Sequence, residues 1–370
     1  MSMPLSKRPV AVTLFLGFLT ALVAGCPVPP DGNGNGGDDA PRPGNSFANA
    51  GRLILSDGEV LTLSNRVESG SDVHVFSLGP LSPGDRIVIE VFPAGTSRLD
   101  PNTAIFDAAG ELFTMNDDVN LSAGRFDSFI DEVIRYASDP YYLAIAPSFF
   151  DPTPGEYQAR VRVFRGGAPV GVEGQVVFLN FAGGQATLKD IGSFDLPPFD
   201  AARIDSVYDG NTETIVNLIL ATVAENFQGL DITILNSRDH ARPTGEFSEV
   251  FFGGFNVRAF GISESVDHWN KNKSDRSIVF TDRFDDPFVP QPSVNGIGIA
   301  IGNVAAHEIG HLLGLEHTAD VTELMDTTGT ASTLLLDQDF KKAPLDISVF
   351  PFGDQDAWKL LTFLLGLVGP

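Results

Sequence analysis

Two kinds of hydrophobic spacing divide this chain. From residue 45 to 165 the apolar positions come in short runs, at 52–55, 60–63, 73–76, 86–91, 104–106, 141–144 and 157–164, separated by turn-forming residues. In the last run Ala159, Val161 and Val163 alternate with Gln158, Arg160 and Arg162, the period of a half-buried strand. No long helical period interrupts these runs, which predicts an all-β sandwich.

After residue 174 the spacing changes. A β-branched, apolar strand is predicted at 176–179. Ile215, Leu218, Ile219, Thr222, Val223 and Phe227 then recur at helical spacing behind Asn211, a candidate cap. Further strands are predicted at 232–234, 250–252 and 278–280, followed by a helix over 303–313. An apolar stretch at 357–368, opened by Asp354 and Asp356, is shorter than the roughly 20 residues a membrane span needs and predicts a final core helix. The second unit is therefore α+β, over 174–370, with Gly166-Gly167-Ala168-Pro169 in a linker at 166–173.

The helix at 303–313 carries the candidate chemistry. His307 and His311 stand one turn apart on it, so both imidazoles face the same way and can reach one ion. Glu308 projects about 100° around from the first, too far to share that ion but well placed beside a water on it, as a general base. Gly314 can take positive φ at no Cβ penalty, ending the helix and letting His317 return as a third ligand. Three neutral imidazoles leave one position of a tetrahedral Zn2+ for water, whose pKa falls to roughly 7. A purely structural zinc site would recruit a fourth ligand, commonly cysteine, and Cys26 is far away in the sequence.

His307-Glu308-Ile309-Gly310-His311-Leu312-Leu313-Gly314-Leu315-Glu316-His317 resembles the long motif of the metzincin zinc endopeptidases. Thr322-Glu323-Leu324-Met325-Asp326-Thr327 resembles their methionine turn. The resemblance implies a twisted mixed sheet, an active-site helix and a C-terminal helix over 174–370. It implies one catalytic zinc on His307, His311 and His317, Glu308 as general base and acid, and Met325 as an apolar floor beneath the imidazoles. The substrates would be proteins or peptides. By position, residues 259–266 would hold the edge strand that aligns substrate, with Gly261, Ile262 and Ser263 at its centre; an ordinary exposed loop is the alternative. Thr327 stands where some metzincins carry a tyrosine ligand, and the single cysteine is not free to act as a propeptide inhibitor. A different latency mechanism, or none, is implied. A surface binding or adhesion protein that keeps the fold without turnover is the rival reading.

The N-terminus adds a compartment. Lys7 and Arg8, an apolar run and Val23-Ala24-Gly25-Cys26 make residues 1–25 a secretory signal peptide. Those last four residues resemble a bacterial lipobox, in which Cys26 would be acylated and anchor the chain to a membrane; ordinary cleavage nearby is the alternative. Residues 26–44, rich in glycine, proline and aspartate, have nothing to bury and form a flexible tether. The expected location is the bacterial cell envelope, periplasmic or surface-exposed.

Charge narrows the partners. With 48 acidic against 24 basic residues the net charge is −24, which argues against nucleic acid as a partner. The acidity is compatible with Ca2+, for which Asp117, Asp118, Asp127 and Asp131 are the candidate cluster, although solvated loop acids have the same appearance. One cysteine allows no internal disulfide. His74, His240 and His268 are isolated and read as structural or exposed. Finally, Ser71-Asp72-Val73-His74-Val75-Phe76 and Gly155-Glu156-Tyr157 give the 45–165 unit a resemblance to the prepeptidase C-terminal type of β-sandwich domain.

Overall fold

The computed structural model describes residues 41–119 and 124–369. The signal segment, Cys26 and most of the tether lie outside the described residues. Among those described, the first half is all β: β1 (Gly51–Arg52), β2 (Val60–Val67), β3 (His74–Leu81), β4 (Arg86–Pro93), β5 (Pro101–Phe106), β6 (Leu112–Asn116), β7 (Ser128–Val133), β8 (Ser138–Pro147) and β9 (Gly155–Phe164). They form one sheet of order β1-β3-β8-β5-β6 and a second of order β2-β9-β4-β7. Along β9 the buried residues alternate, with Ala159, Val161 and Val163 turned into the core between the sheets.

In this half two strands escaped the sequence pattern, β6 and β7. In β7 the acids Asp131 and Glu132 dilute the alternation. Asp131 is held by Arg86 across the sheet through two hydrogen bonds, of 2.6 Å to Oδ1 and 2.5 Å to Oδ2, and Glu132 pairs with Lys271. A charge on a strand face is tolerated when an opposite charge stands beside it.

The second half continues with β10 (Gln175–Asn180), the hairpin β11 (Gly184–Leu188) and β12 (Gly192–Leu196), α1 (Thr212–Asn226), β13 (Ile232–Asn236), β14 (Ser248–Phe252), β15 (Gly261–Ser263), β16 (Arg276–Val279), α2 (Val294–Leu312), the hairpin β17 (Lys342–Pro344) and β18 (Asp354–Asp356), and α3 (Ala357–Leu365). Its five-stranded sheet has the order β13-β10-β14-β16-β15; β15 alone runs antiparallel to its neighbour and lies at an edge. This is the mixed sheet with helices expected of an α+β unit. No helix among the described residues is long and apolar enough to cross a membrane.

Helix boundaries differ from the sequence expectation in three places. The zinc-motif helix α2 starts at Val294, nine residues before 303, because Gly296, Gly298 and Gly302 hide its apolar period. Those glycines have a packing reason: a Cβ at Gly298 would lie 2.5 Å from Leu218 Cβ, and one at Gly302 would lie 2.6 Å from Thr222 Cβ. The bare stripe lets α1 lie against α2 at close range. Asn211 does not cap α1 with its side chain, which instead donates to the Asp209 carbonyl at 3.2 Å. The last helix stops at Leu365 and not 368, since Gly366 turns to φ +83° and its N–H returns to the Thr362 carbonyl. At its start Asp356 accepts from Lys359 N at 3.0 Å.

The sandwich is docked on the α+β unit through a shared core. Phe106 packs edge-on against Phe350 at 5.4 Å, and a Cβ at Gly353 would lie 2.4 Å from the Phe106 ring. Trp269 packs against Phe113, at 4.8 Å, and the Arg135 guanidinium, at 5.0 Å. Around these contacts Lys359 Nζ donates to Asp107 at 2.6 Å and to Glu111 at 2.7 Å, while Lys342 donates to Glu111 at 2.7 Å. The Asn102 side chain donates to the Val349 carbonyl and Asp354 N to the Gly110 carbonyl.

A buried polar relay ties together the strand ends on the far side of the sheet. Asn270 donates to Gln175, Gln175 to Ser248 Oγ at 2.9 Å, and Ser248 to Asp275 Oδ1 at 2.6 Å. Burial pushes the Asp275 carboxyl up to about 8. Between the ordinary aspartate value and 8 the folded chain holds a proton that the unfolded chain has lost, so stability falls as pH rises through that window. Asp275→Asn is expected to flatten this dependence, narrowing the difference in Tm between pH 5 and pH 8 by about 3 °C or more in thermal unfolding scans.

Candidate metal centre

Helix α2 starts where Ser293 Oγ accepts from Gly296 N at 3.1 Å and ends in a double hydrogen-bonded turn. Leu315 N donates to the Gly310 carbonyl and Gly314 N to the His311 carbonyl, both at 2.9 Å, with Gly314 at φ +91°. This is the Schellman geometry, and it reverses the chain so that His317 comes back over the helix. The turn is backed by neighbouring main chain: a Cβ at Gly314 would lie 2.7 Å from the Asp267 carbonyl oxygen and from His268 Cα. Gly314→Ala is therefore expected to cost more than about 2 kcal/mol in combined strain and collision. Chelator competition should show at least a tenfold loss of zinc affinity.

The structure brings three imidazoles together. His311 Nε2 lies 3.0 Å from His307 Nε2 and 3.1 Å from His317 Nε2. The tautomers of the two helix residues follow from their other nitrogens. His307 Nδ1 donates to the Leu324 carbonyl and His311 Nδ1 to the Leu315 carbonyl, each at 2.8 Å. A carbonyl oxygen can only accept, so those Nδ1 atoms carry the protons and the Nε2 atoms present lone pairs. Two such lone pairs at 3.0 Å repel unless a cation lies among them. All three residues are buried, and burial depresses their basicity, His307 to about 4 and the other two well below the ordinary imidazole value. The set stays neutral at physiological pH, which is the form that binds a metal. Among the described residues this is the group of His, Cys, Asp or Glu whose ligand atoms lie within 4.8 Å of one another.

Met325 is fully buried against α2, on the far side of a missing side chain: a Cβ at Gly310 would lie 2.5 Å from its Sδ. The loop bearing it is fixed by Glu323, whose carboxylate accepts from Thr318 Oγ1 at 2.6 Å and from Met325 N at 2.7 Å. Burial raises that carboxyl to about 7. Neither Gly310 nor Glu323 was singled out from sequence. A glycine in mid-helix, costing about 1 kcal/mol against alanine, was the available sign of a close approach.

Glu308 points away from α2 toward the sheet edge. Its Oε2 accepts from Ser263 Oγ at 2.7 Å, and burial pushes the carboxyl up to about 8. Gly261, Ile262 and Ser263 make up the whole of β15, paired on one side with β16. Thr327 lies beyond Met325, its hydroxyl donating to Asp346 Oδ2 at 3.3 Å. The following segment is pinned to α2 by Asn303, whose amide donates to the carbonyls of Leu334 and Leu336 at 3.0 and 2.9 Å. A small cleft beside His307 is lined by Asn303, Thr327, Thr330 and Thr333.

The other candidates lie elsewhere. Asp131 is held by Arg86 and Asp117 accepts from Ser148 Oγ at 3.1 Å, and among the described residues no three of the four aspartates bring their oxygens within 4.8 Å of one another. His74 is buried on the Tyr157 hydroxyl at 2.8 Å, His268 meets Glu316 at 3.0 Å, and His240 is exposed.

Residues 243–343, which span the histidines, β15 and the methionine turn, match the matrixin family of peptidases. Over those residues the chain resembles a matrixin-type zinc metallopeptidase. Over 60 residues the chain is 47% identical to karilysin of Tannerella forsythia, a match covering 16% of this chain and 13% of that protein. Among solved structures, archaemetzincin from Methanopyrus kandleri is similar at 13% identity and TM-score 0.26, covering 45% of this chain and 88% of that one. The pre-peptidase C-terminal domain of a Bacillus anthracis collagenase is similar at 15% identity and TM-score 0.22, covering 30% and 92%.

Proposed function

We propose that this protein is a zinc-dependent endopeptidase that cuts peptide bonds in protein or peptide substrates. The observation that carries this reading is the convergence of three neutral imidazoles, with the Nε2 lone pairs of His307 and His311 turned inward by the carbonyl acceptors behind them. His307, His311 and His317 would hold the ion. Zinc, when bound, supplies Lewis-acid polarisation of the scissile carbonyl and of the attacking water.

The chain's own residues supply the rest. Glu308 takes a proton from the attacking water and later passes it to the leaving amine. An extended substrate would add to β15, the last strand of its sheet, by main-chain hydrogen bonds. Met325 packs beneath the ligand-bearing turn of α2. The N-terminal segment, outside the described residues, supports a lipid anchor on Cys26 and a place in the bacterial envelope.

The test is incubation of the zinc-loaded protein with a mixed peptide library, with and without chelator, read by mass spectrometry. Cleavage at internal bonds that disappears with chelator and returns with zinc supports the reading. A library left intact under all conditions overturns it in favour of a binding protein.

A further inference from the structure

We propose that Ser263 is a positioning residue for Glu308: from the sheet edge, its hydroxyl holds the carboxylate in its working orientation, in a space that Gly261 leaves open. The inference rests on the endopeptidase reading and adds to it a second task for β15. The same short strand that would line up the substrate backbone also orients the group that moves the proton.

The geometry is that of a grip. Ser263 and Gly261 are two residues apart on a strand, so their α-carbon substituents share one face, the face toward α2. Ile262, between them, turns the other way into a cluster with the β11–β12 hairpin and Phe280. Ser263 is fully buried, and its Oγ lies 2.7 Å from Glu308 Oε2 and 3.0 Å from the Glu308 main-chain oxygen. A hydroxyl has one proton to give, and the shorter contact marks the carboxylate as its main acceptor. At Gly261 a Cβ would lie 2.3 Å from Oε1 and 2.7 Å from Cδ and Cγ of Glu308. Any side chain there would push the carboxylate out of place. One oxygen is thus fixed by a donor, and the other is left for the proton transfer.

The strand itself is fixed. Its three residues pair antiparallel with β16, Ser263 opposite Ser277 and Gly261 opposite Val279. A slip of one residue would turn Ile262 toward the carboxylate and both gripping residues away, so register and the base's orientation are set together.

Ser263→Ala in the full zinc-loaded chain tests this. The expected result is a fall in kcat of about 10- to 100-fold, with KM within about twofold and zinc bound one to one. Ser263→Thr, which keeps the hydroxyl, is expected to recover most of the loss. Gly261→Ala should lower kcat at least as much, with zinc still bound. A purely structural serine would instead lower Tm and leave kcat of the folded fraction unchanged, and that outcome overturns the proposal. A crystal structure of the Ser263→Ala protein gives a readout independent of turnover: Glu308 should leave its present rotamer or spread over several. A carboxylate that stays in place in that variant also overturns the proposal. Should the wild type cleave no peptide at all, the endopeptidase reading falls by itself, and the Glu308 rotamer alone decides whether Ser263 positions it.

Discussion

Glu308→Gln is expected to lower turnover by about 10²- to 10⁴-fold, the range that a positioned general acid-base contributes, while one zinc per chain remains bound. The reason lies in the separation of tasks on α2. His307 and His311 carry the ligand nitrogens on one face, whereas Glu308 sits a hundred degrees around the helix with its carboxylate on Ser263. Glutamine has the same shape and can still accept from Ser263 Oγ. It removes the proton acceptor without disturbing the imidazoles. Stability should not fall, because a buried carboxyl pushed up to about 8 is replaced by a group that is never charged. Metal content by atomic spectroscopy and turnover on one cleaved peptide check this together. Loss of zinc along with activity would place Glu308 among the ligands instead.

Removing the sandwich is the second change with a large expected effect. A chain beginning at residue 166 should fail to give a soluble, cooperatively folding protein. The sandwich covers Phe350, Leu345 and Val349, and it meets Trp269 through Phe113 and Arg135. About five apolar side chains returned to water, at roughly 1.5–3 kcal/mol each, amount to about 10 kcal/mol. That is of the order of a whole domain's stability. Lys359 and Lys342 would lose Glu111, and Lys359 also Asp107. The truncation would reach the metal as well, because Trp269 and its neighbours back the turn at Gly314 that brings His317 round. Circular dichroism on heating and chelator competition against the full chain provide the check. A truncated chain that unfolds cooperatively and holds zinc as tightly as the whole would refute it.

The candidate site was largely legible in the sequence because its determinants are local. Three residues on one helix, a glycine and a returning histidine lie within eleven positions, and helical geometry alone brings two of them together. The fold class was legible for a related reason: alternation in β9 and the helical period of α1 each report a single buried face. What could not be read depends on partners distant in the chain. β7 was hidden because Asp131 and Glu132 are answered by Arg86 and Lys271, the latter in the other half of the molecule. The first half of α2 was hidden because Gly298 and Gly302 acquire meaning only against Leu218 and Thr222 of α1. The grip on Glu308 needs both a helix and a strand forty-five residues earlier in the chain. Docking of the sandwich was out of reach for the same reason, since its cues are individual aromatic residues without period.

Residues 165–174, between the two halves, are exposed along their whole length, in contrast to the sealed contact they bridge. Their covalent continuity is consequently dispensable once the chain has folded. A nick in that stretch would yield two fragments on a denaturing gel and one particle on a sizing column, still able to bind zinc. A cut there would therefore leave the front half in place on the rest of the chain.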